Sequence, residues 1–514
     1  MPRYAAVDIG SNSVRMEIGD AEPAEAGGPV PALQIVDSDR MVTRLGEGVF
    51  SDSNLRNESI AKTCLALKRM SEAIEKAKVD GVRAVATSAV RDARNQEEFL
   101  AAATQALGHP IEIISGAEEA RLIHLGVQTR WPHPDKSVLM IDIGGGSAEI
   151  ILSRSGTQVD AFSKPLGAVR LQQLFLQDDP PTKARLAQMD AYIAGKLEGA
   201  VAKIGTRPVD QVIATSASAS ATMCAVHRIP REERERADRM RATSSHLKKL
   251  FERVSTIPLG ERQKVTGIGP KRAEIIVPGI AVLRRVLADF QQPALWFSAA
   301  GVRDGIIADL YGRGTMPESS RLTREERREV EQMARRYGVD LKHARRVANL
   351  SRQIFLSLRK LHQLPHCCAR MLEAAALLLD VGHYVSQSKH HRHSYYLVYH
   401  SDLPGFAAEE RAVIANLCRY HRKSLPTTNH TGFEELSEEQ RLWVRRLTPL
   451  LRLADGLDRS RKQLIGKINC ALRNGRVELA LESDGSWELE RWAAERTQDA
   501  FQQIYTRDLV VVDS

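Results

Sequence analysis

Short apolar runs alternate with helix-spaced apolar stripes in the first part of the chain, a pattern typical of α/β proteins. Val82–Ala86 and Ile111–Ile114 are runs of the buried-strand type, and each leads into residues that suit a helix start. Asn57–Lys78 carries apolar residues at helical spacing, so we expect an amphipathic helix there. Ala21–Pro31 is rich in proline, glycine and alanine and predicts a loop between strands.

The stretch Val138–Leu152 consists of two apolar runs around a short polar centre. The apolar runs predict two buried strands, and the glycines between them let the backbone turn sharply and present N–H groups to an anion. Asp142 and Glu149 flank the turn, and carboxylate oxygens are the ligands that magnesium prefers when it also binds phosphate. We therefore expect magnesium beside a phosphate loop. The loop residues are Gly144, Gly145, Gly146 and Ser147.

A related stretch, Ala6–Ile18, stands near the N-terminus and aligns with the later one without a gap. Asp8 matches Asp142, and Ser13 matches Ser147. The repeat predicts two related lobes that each offer a phosphate hairpin to a shared cleft, with two unrelated hairpin turns as the alternative. The loop residues of the first copy are Ser11, Asn12 and Ser13.

Polar residues follow both of the short predicted strands. Thr87–Asn95 contains hydroxyls and Arg91, which suit either a phosphate-facing edge or a capped helix with exposed arginines. Ser115–Leu122 begins a helix with Glu118 and Glu119 in its first turn, where the helix dipole favours acids. Because this strand end should open onto the same cleft, a carboxylate here could also orient and deprotonate an attacking water.

The composition narrows the class of protein. With 514 residues the chain is long enough for three or four domains, and 43% apolar with 27% charged residues argues against general disorder. The net charge is +9, and residues 311–514 hold 33 lysines and arginines against 26 aspartates and glutamates. A basic surface favours a polyanion or is simply a solvated surface. No nucleic acid partner is expected, because zinc-finger spacing is absent and the aromatic content is only 5%.

The six cysteines form no C-x-x-C pair, which is typical of reduced structural thiols. The chain runs into a predicted strand without a basic-then-apolar leader, and no uncharged apolar run approaches about 18 residues. We therefore expect a soluble cytoplasmic protein with no membrane span.

Several motifs occur in one order: Asp8-Ile-Gly-Ser-Asn-Ser13, Thr87-Ser-Ala-Val-Arg91, Ser115-Gly-x-Glu-Glu-Ala-Arg-Leu122, Asp142-Ile-Gly-Gly-Gly-Ser-x-Glu149, Pro270-Lys-Arg-Ala273 through Pro278-Gly279, and Ser298-Ala-Ala-Gly-Val-Arg-Asp-Gly305. On these motifs the chain resembles the exopolyphosphatase and guanosine pentaphosphate phosphohydrolase family, within the actin, sugar-kinase and heat-shock ATPase superfamily. The resemblance covers nearly the whole chain, including its basic C-terminal half.

The resemblance implies an α/β fold with two ribonuclease-H-like lobes around a cleft, followed by an all-α HD-like domain and a small C-terminal α+β domain. The expected domains are 1–130 and 131–310 with the two phosphate loops, 321–465 for the basic all-α domain, and 466–514. The implied activity is magnesium-dependent, processive release of terminal orthophosphate from inorganic polyphosphate. A homodimer is expected, because a long basic groove could continue across two subunits.

The family's site residues carry over position by position. Glu119 matches the general base, and Asp142 and Glu149 match acids near the metal and the attacking water. Asp8 joins these two as a magnesium ligand. The remaining matches are phosphate contacts: Ser11, Asn12, Ser13, Arg91, Gly144, Gly145, Gly146, Ser147 and Arg272.

The chain departs from the family at Val212–Ser220, which has no glycine where relatives have a glycine-containing turn. Alanine and serine are disfavoured at positive φ, so we expect a more regular backbone there. In kinase relatives this turn faces a nucleoside. The departure therefore favours a polymer substrate and argues against a sugar kinase.

The C-terminal half begins after a linker at Tyr311–Ser320 and continues as amphipathic helices. Some of its residues resemble a histidine–aspartate phosphohydrolase domain: His343, Asp380, His383, His391, His393, His421 and Asp455. Leu379 stands where such a metal site has a histidine, so we expect an incomplete site and a scaffold role. The clusters His390–His393 and Arg419–Lys423 could line a channel for a polyanion or form a solvated surface.

Three other functions stay open. The chain could hydrolyse guanosine pentaphosphate to the tetraphosphate, or the helical domain could act on nucleotides. A non-catalytic sensor of alarmone or polyphosphate would bind in the cleft without releasing phosphate.

Overall fold

The chain forms two compact units, Met1–Thr315 and Met316–Ser514, in a computed structural model. Each unit contains two of the predicted domains, and the finer bounds at 130 and 465 stay predictions. The structure describes residues 1–23, 30–205, 207–315, 321–428, 430–473, 475–483 and 486–513. Parts of the predicted loop 21–31 and of the linker 311–320 therefore lie outside the described residues.

The first sheet of the first unit has the strand order β3-β2-β1-β4-β5. The middle of its central strand, residues 4–7, is buried because both faces are covered: one face packs against helices after β3 and β4, the other against the last helix of the unit. The elements are β1 (Arg3–Ile9), β2 (Ser13–Glu22), β3 (Ala32–Val42), α1 (Val49–Asp52), α2 (Asn57–Ala77), β4 (Gly81–Ala86), α3 (Ser88–Arg91), α4 (Gln96–Leu107), β5 (Ile111–Ile113) and α5 (Gly116–Arg130).

The second sheet has the strand order β10-β11-β9-β6-β7-β8. A 3-10 helix, Arg231–Ala237, follows α8. The elements are β6 (Ser137–Ile143), β7 (Ala148–Arg154), β8 (Thr157–Lys164), α6 (Ala168–Phe175), α7 (Lys183–Ile204), β9 (Gln211–Thr215), α8 (Ser216–His227), β10 (Arg241–Thr243), α9 (Ser244–Thr256), α10 (Leu259–Arg262), α11 (Pro270–Ala273), α12 (Ile276–Asp289), β11 (Ala294–Phe297) and α13 (Val302–Thr315).

The two sheets repeat one arrangement. β1 is antiparallel to β2 and parallel to β4, and β6 is antiparallel to β7 and parallel to β9. The strand–loop–strand units predicted from the two matching stretches are confirmed, as are the predicted helix at α2 and strands at β4 and β5.

Helices α5 and α13 join the sheets. Leu122 of α5 belongs to the core of the first sheet, while Ile123 packs with residues of the second. The two helices cross closely, because a Cβ on Gly126 would lie 2.1 Å from the Gly301 carbonyl oxygen and one on Gly305 would lie 1.9 Å from the Leu122 carbonyl oxygen. This crossing fixes α5, whose first turn faces the cleft between the sheets.

The second unit is helical before a three-stranded sheet, β12-β13-β14, and its helices and sheet share one core. A 3-10 turn, Val381–Tyr384, follows α17. None of the helices in the described part of the chain is long and apolar enough to cross a membrane. The elements are α14 (Arg324–Arg336), α15 (Leu341–Ser357), α16 (Arg359–His362), α17 (Cys367–Leu378), α18 (His390–Tyr399), α19 (Ala408–Tyr420), α20 (Glu438–Gly456), β12 (Ile465–Arg473), β13 (Arg476–Ser483), α21 (Glu488–Glu495), α22 (Gln498–Tyr505) and β14 (Leu509–Asp513).

Candidate active site

A cavity of about 230 Å³ lies in the first unit between the two sheets, at the loops that follow β1 and β6. Asp8 and Asp142 occupy the second-last positions of these strands, and both line the cavity with Glu119 of α5. The three carboxylates that the sequence places far apart therefore share one hollow. The predicted phosphate-loop residues line it too: Ser11, Asn12, Ser13, Gly144, Gly145, Gly146 and Ser147.

Two predicted site residues, Glu149 and Arg91, do not line the cavity. Glu149 is fully buried and accepts a hydrogen bond of 2.8 Å from the Ser163 hydroxyl. Arg91 donates to the carbonyl oxygen of Ile114, and its Nη1 lies 3.7 Å from Oε2 of Glu119. Neither is among the residues that line the cavity, so a direct phosphate contact by Arg91 stays a prediction.

The carboxylates at this end of the cavity repel one another. Burial, with the nearby charge of Asp8, raises the pKa of Asp142 to about 6, although a hydrogen bond from Thr215 opposes the shift. Burial and Asp142 raise the pKa of Glu149 to about 8, and burial with Glu149 raises the pKa of Glu119 well above its usual range. Burial also raises the pKa of Asp8. A bound cation would lower all four pKa values.

The donor set fits a hard divalent cation. Asp8, Asp142 and Glu119 offer only carboxylate oxygens, which suit magnesium or manganese. Oε2 of Glu119 and Oε2 of Glu149 are buried without a hydrogen-bond partner among the described residues, although buried carboxylate oxygens normally have one. These orphaned oxygens and the crowded charge both favour a metal at this end of the cavity.

The two loops have the same internal bond and touch each other. Gly10 N–H donates to Ser13 O over 3.2 Å, and Gly144 N–H donates to Ser147 O over 3.0 Å. A Cβ on Gly145 would lie 2.8 Å from Cβ of Ser11. The φ angles of the three glycines lie outside the left-handed region, so this loop needs glycine for close approach rather than for a sharp turn.

Basic side chains line the cavity as well: Arg15, Arg40, Arg231, Arg234, Lys271, Arg272 and Arg303. Arg15 and Arg303 lie near Asp8, where their charges oppose the rise that burial causes in its pKa. Arg40 lies near Arg231, Arg234 and Arg272. Burial and the neighbouring arginines lower the pKa of Arg40, of Arg272 and of Arg15. Mutual repulsion of this kind is relieved when an anion binds among the guanidinium groups. These basic residues therefore suit the binding of a polyanion.

The sequence prediction included only Arg272 of these basic residues. The repeat in the sequence could have identified Arg15. Asp8 lies opposite Arg15 in the first strand pair, and Asp142 lies opposite Glu149 at the matching place in the second. The sequence could not identify Arg231 and Arg234. The 3-10 helix that contains them mixes acidic and basic residues, like an ordinary surface segment.

The expectation of a regular backbone at 212–220 is wrong at one residue. Ser216 follows β9 directly and has a φ of 86°, in the left-handed region that disfavours residues with a side chain. The hydroxyl of the preceding Thr215 donates to Oδ2 of Asp142. The close bond between Thr215 and Asp142 holds the strand end against the carboxylate site, and the strain falls on the next residue.

The second unit places His343, Asp380, His383, His421 and Asp455 around a smaller cavity, together with His390. The predicted residues His391 and His393 are not among those that line it. His390, His391 and His421 are buried, whereas Arg392, Arg422 and Lys423 are exposed, so a channel for a polyanion along these two clusters stays a prediction.

Comparison with known proteins agrees with this architecture. Residues 24–313 match the model of the Ppx/GppA phosphatase family, and residues 326–498 match that of Ppx/GppA phosphatase, domain III. A solved Ppx/GppA enzyme from Aquifex aeolicus is 29% identical over 60% of this chain and 99% of its own, with a TM-score of 0.51. An exopolyphosphatase-like protein is 25% identical over 61% and 98% of the two chains, with a TM-score of 0.56. An exopolyphosphatase from Cytophaga hutchinsonii shares the fold at 24% identity over 60% and 98%, with a TM-score of 0.55.

Proposed function

The chain belongs to the Ppx/GppA phosphatase family, and on that premise we propose that it is a magnesium-dependent exopolyphosphatase. It would release orthophosphate from the end of inorganic polyphosphate. The observation that carries the proposal is that one cavity holds both a group of carboxylates and a group of arginines. The carboxylates suit the reacting phosphate with its metal, and the arginines suit the phosphates that follow it in the chain.

The loops would hold the terminal phosphoryl group. Ser11 and Asn12 from the first loop and Gly145 from the second face the same cavity, and Nδ2 of Asn12 is buried without a partner among the described residues. Asp8 and Asp142 would hold magnesium. The bound ion would neutralise negative charge on the phosphate oxygens.

Glu119 would prepare the attacking water. Its burial and neighbouring charge make it a stronger base than a solvated glutamate. It would take a proton as the water oxygen bonds to the terminal phosphorus and the bond to the bridging oxygen breaks. Arg91, 3.7 Å from Glu119, would orient the carboxylate rather than touch the substrate. The products are orthophosphate and a chain shorter by one phosphate.

Two features favour the polymer over a nucleotide. At least five arginines face the cavity, which is more positive charge than one terminal phosphate requires. In the described part of the lining, Phe297 is the one aromatic side chain, so stacking platforms for a base are scarce. Binding of several phosphates at once would keep the shortened chain in place between cuts.

A direct comparison of substrates tests the proposal. Phosphate release from long-chain polyphosphate and from guanosine pentaphosphate would be measured with the full chain and magnesium, at equal concentrations of chain ends. We expect kcat/KM to be at least about tenfold higher for polyphosphate, a difference of about 1.4 kcal/mol in transition-state stabilisation. A preference for guanosine pentaphosphate would identify a nucleotide phosphatase instead, and tight binding without phosphate release would identify a sensor.

Processivity has its own readout. During partial digestion we expect long chains and orthophosphate with few intermediates on a sizing gel. Accumulation of intermediates of every length would contradict a substrate held between cuts.

A further inference from the structure

A second cavity, of about 50 Å³, lies in the second unit. Its histidines and aspartates come from five separate segments, and the fold brings them together: His343 on α15, Asp380 and His383 around the 3-10 turn, His390 on α18, His421 after α19, and Asp455 on α20. None of these residues has a role in the phosphatase site of the first unit.

The imidazoles of His390 and His421 face each other with their lone pairs. Nδ1 of His421 lies 2.7 Å from the Cys418 carbonyl oxygen, and Nδ1 of His390 lies 3.4 Å from the Gln387 carbonyl oxygen. A carbonyl oxygen only accepts, so each Nδ1 carries the proton and each Nε2 has a free lone pair. The two Nε2 atoms are 3.2 Å apart, and both side chains are 3% exposed. A cation beside two buried lone pairs at this distance would relieve their repulsion.

This separation is within the reach of a single metal ion. Nitrogens bound at about 2.0–2.1 Å with an angle between about 90° and 109° are roughly 2.8–3.4 Å apart. Asp380 adds an oxygen, because its Oδ1 lies 3.4 Å from Nε2 of His383 and 3.9 Å from Nε2 of His390. The ligand atoms of Asp380, His383 and His390 all lie within 4.8 Å of one another. Arg461 pairs with Oδ2 of Asp380 at 2.9 Å and leaves Oδ1 facing the histidines.

His343 on the opposite wall has the outer contact of a metal ligand. Its Nδ1 lies 2.8 Å from Oδ2 of the fully buried Asp458, which directs Nε2 toward the cavity. That Nε2 lies 3.4 Å from Oδ1 of Asp455. The same division of the two ring nitrogens occurs in His343, His390 and His421: one is held by an oxygen and the other faces the cavity.

We propose that the second unit binds one divalent transition metal through Asp380, His383 and His390, with His421 beside His390 and with His343 and Asp455 on the facing wall. Imidazole nitrogens with a carboxylate favour zinc, cobalt, nickel or iron over magnesium. The incomplete site expected from Leu379 does not follow, because the 3-10 turn after Asp380 brings His383 to the cavity instead. The inference does not depend on what the first unit hydrolyses.

Zinc binding to the full chain tests this inference. Metal-free protein would be titrated with Zn²⁺, and X-ray absorption at the zinc edge would be recorded with one equivalent bound. We expect tight binding with outer-shell scattering from imidazole rings, which the first cavity cannot produce because no histidine is among its described lining residues. A spectrum with oxygen neighbours alone, or no tight zinc binding, would overturn the proposal without affecting the phosphatase assignment.

Variants locate the ion. His390→Ala combined with His421→Ala should remove the imidazole-bound zinc, because His390 is one of the grouped ligands. His400→Gln is the matched control, because this exposed histidine ends α18 outside the cavity. Unchanged zinc affinity in the double variant would overturn the proposal. If that variant does not fold, the spectrum of the wild-type protein decides the matter alone.

Discussion

Glu119 shows how one side chain acquires its chemistry from its surroundings. Its position in the first turn of α5 is also what helix capping favours, so the sequence leaves two explanations open. The structure puts this carboxylate, 7% exposed, on a cavity shared with Asp8 and Asp142. Burial and repulsion together give Glu119 a raised pKa, which capping alone would not require.

These carboxylates predict a pH dependence. Each would act in its deprotonated form, and the pKa values of Asp142 and Glu149 are raised to about 6 and about 8. Phosphate release should therefore fall as the pH decreases through this window. Because magnesium competes with protons for the same oxygens, more magnesium should shift the decline to lower pH. A profile of kcat/KM at two magnesium concentrations checks this, and a rate that stays flat down to pH 5 would contradict it.

Gly146 predicts a steric effect. A Cβ there would lie 2.4 Å from the Ser88 hydroxyl oxygen and 2.5 Å from Cζ of Phe50, so Gly146→Ala should push the loop out of place. We expect a loss of about 1–3 kcal/mol in the free energy of unfolding, together with a higher KM for polyphosphate.

Gly195 provides the matched control for this change. It lies within α7 and has open space at its Cβ position, so Gly195→Ala should be neutral or stabilise by up to about 1 kcal/mol. Denaturant unfolding and steady-state kinetics measure both variants. Equal stability of the two variants would show that the second loop is not closely packed.

At the scale of elements, buried ion pairs hold α5 in place. Arg83 on β4 and Arg121 on α5 both pair with Glu118 and with Asp309 on α13, at distances of 2.7–3.1 Å. Burial alone would raise the pKa of Glu118, but the charges of Arg121 and Arg83 lower it to about 2. The network fixes the helix that presents Glu119, the next residue along the chain.

Removing one charge from this network should be costly. Asp309→Asn removes one of the two acids that Arg83 and Arg121 share and leaves Glu118 as the other, and we expect a loss of about 3 kcal/mol in the free energy of unfolding. Glu58→Gln breaks the exposed pair with Lys62 on α2 and should change the free energy of unfolding little, because water screens exposed pairs. Urea unfolding compares the two. A similar small effect of both changes would mean that the network does not hold α5.

The pattern of apolar residues predicts the elements well because burial fixes it. The strands β1, β2, β6 and β7 have the predicted positions, since each lies between covered faces. Most of the basic residues of the first cavity were not predicted, because an apolar pattern reports only local burial. Arg231 and Arg234 line a cavity that distant segments form, and no local pattern indicates this. His390 and His391 of α18 are buried, although a run of basic letters suggests an exposed surface.

At the scale of the whole molecule, each unit has its own core and its own polar cavity. The first cavity places carboxylates and arginines where the two halves of a repeat meet, and the second collects histidines among helices. Sequence repetition revealed the first arrangement. For the second, the resemblance of the sequence to a histidine–aspartate domain named His343, Asp380, His383, His421 and Asp455, and the fold added His390.

The arginines of the first cavity predict how substrate affinity depends on charge. Arg231→Ala with Arg272→Ala should raise KM for long-chain polyphosphate about tenfold or more and change kcat little, because these groups hold phosphates away from the reacting end. The salt dependence of KM should also become weaker. Arg253→Ala, at an exposed position on α9, should change neither value. A large fall in kcat with unchanged KM would contradict this role.

The central claim is that Glu119, on a cavity formed by both halves of the first unit, activates water against a terminal phosphate. The most direct test is phosphate release from long-chain polyphosphate with magnesium by Glu119→Gln, beside wild type and the exposed control Glu98→Gln. The account predicts that kcat falls about 100-fold or more in Glu119→Gln with little change in KM, and that Glu98→Gln behaves as wild type. A Glu119→Gln protein that keeps its kcat would contradict it.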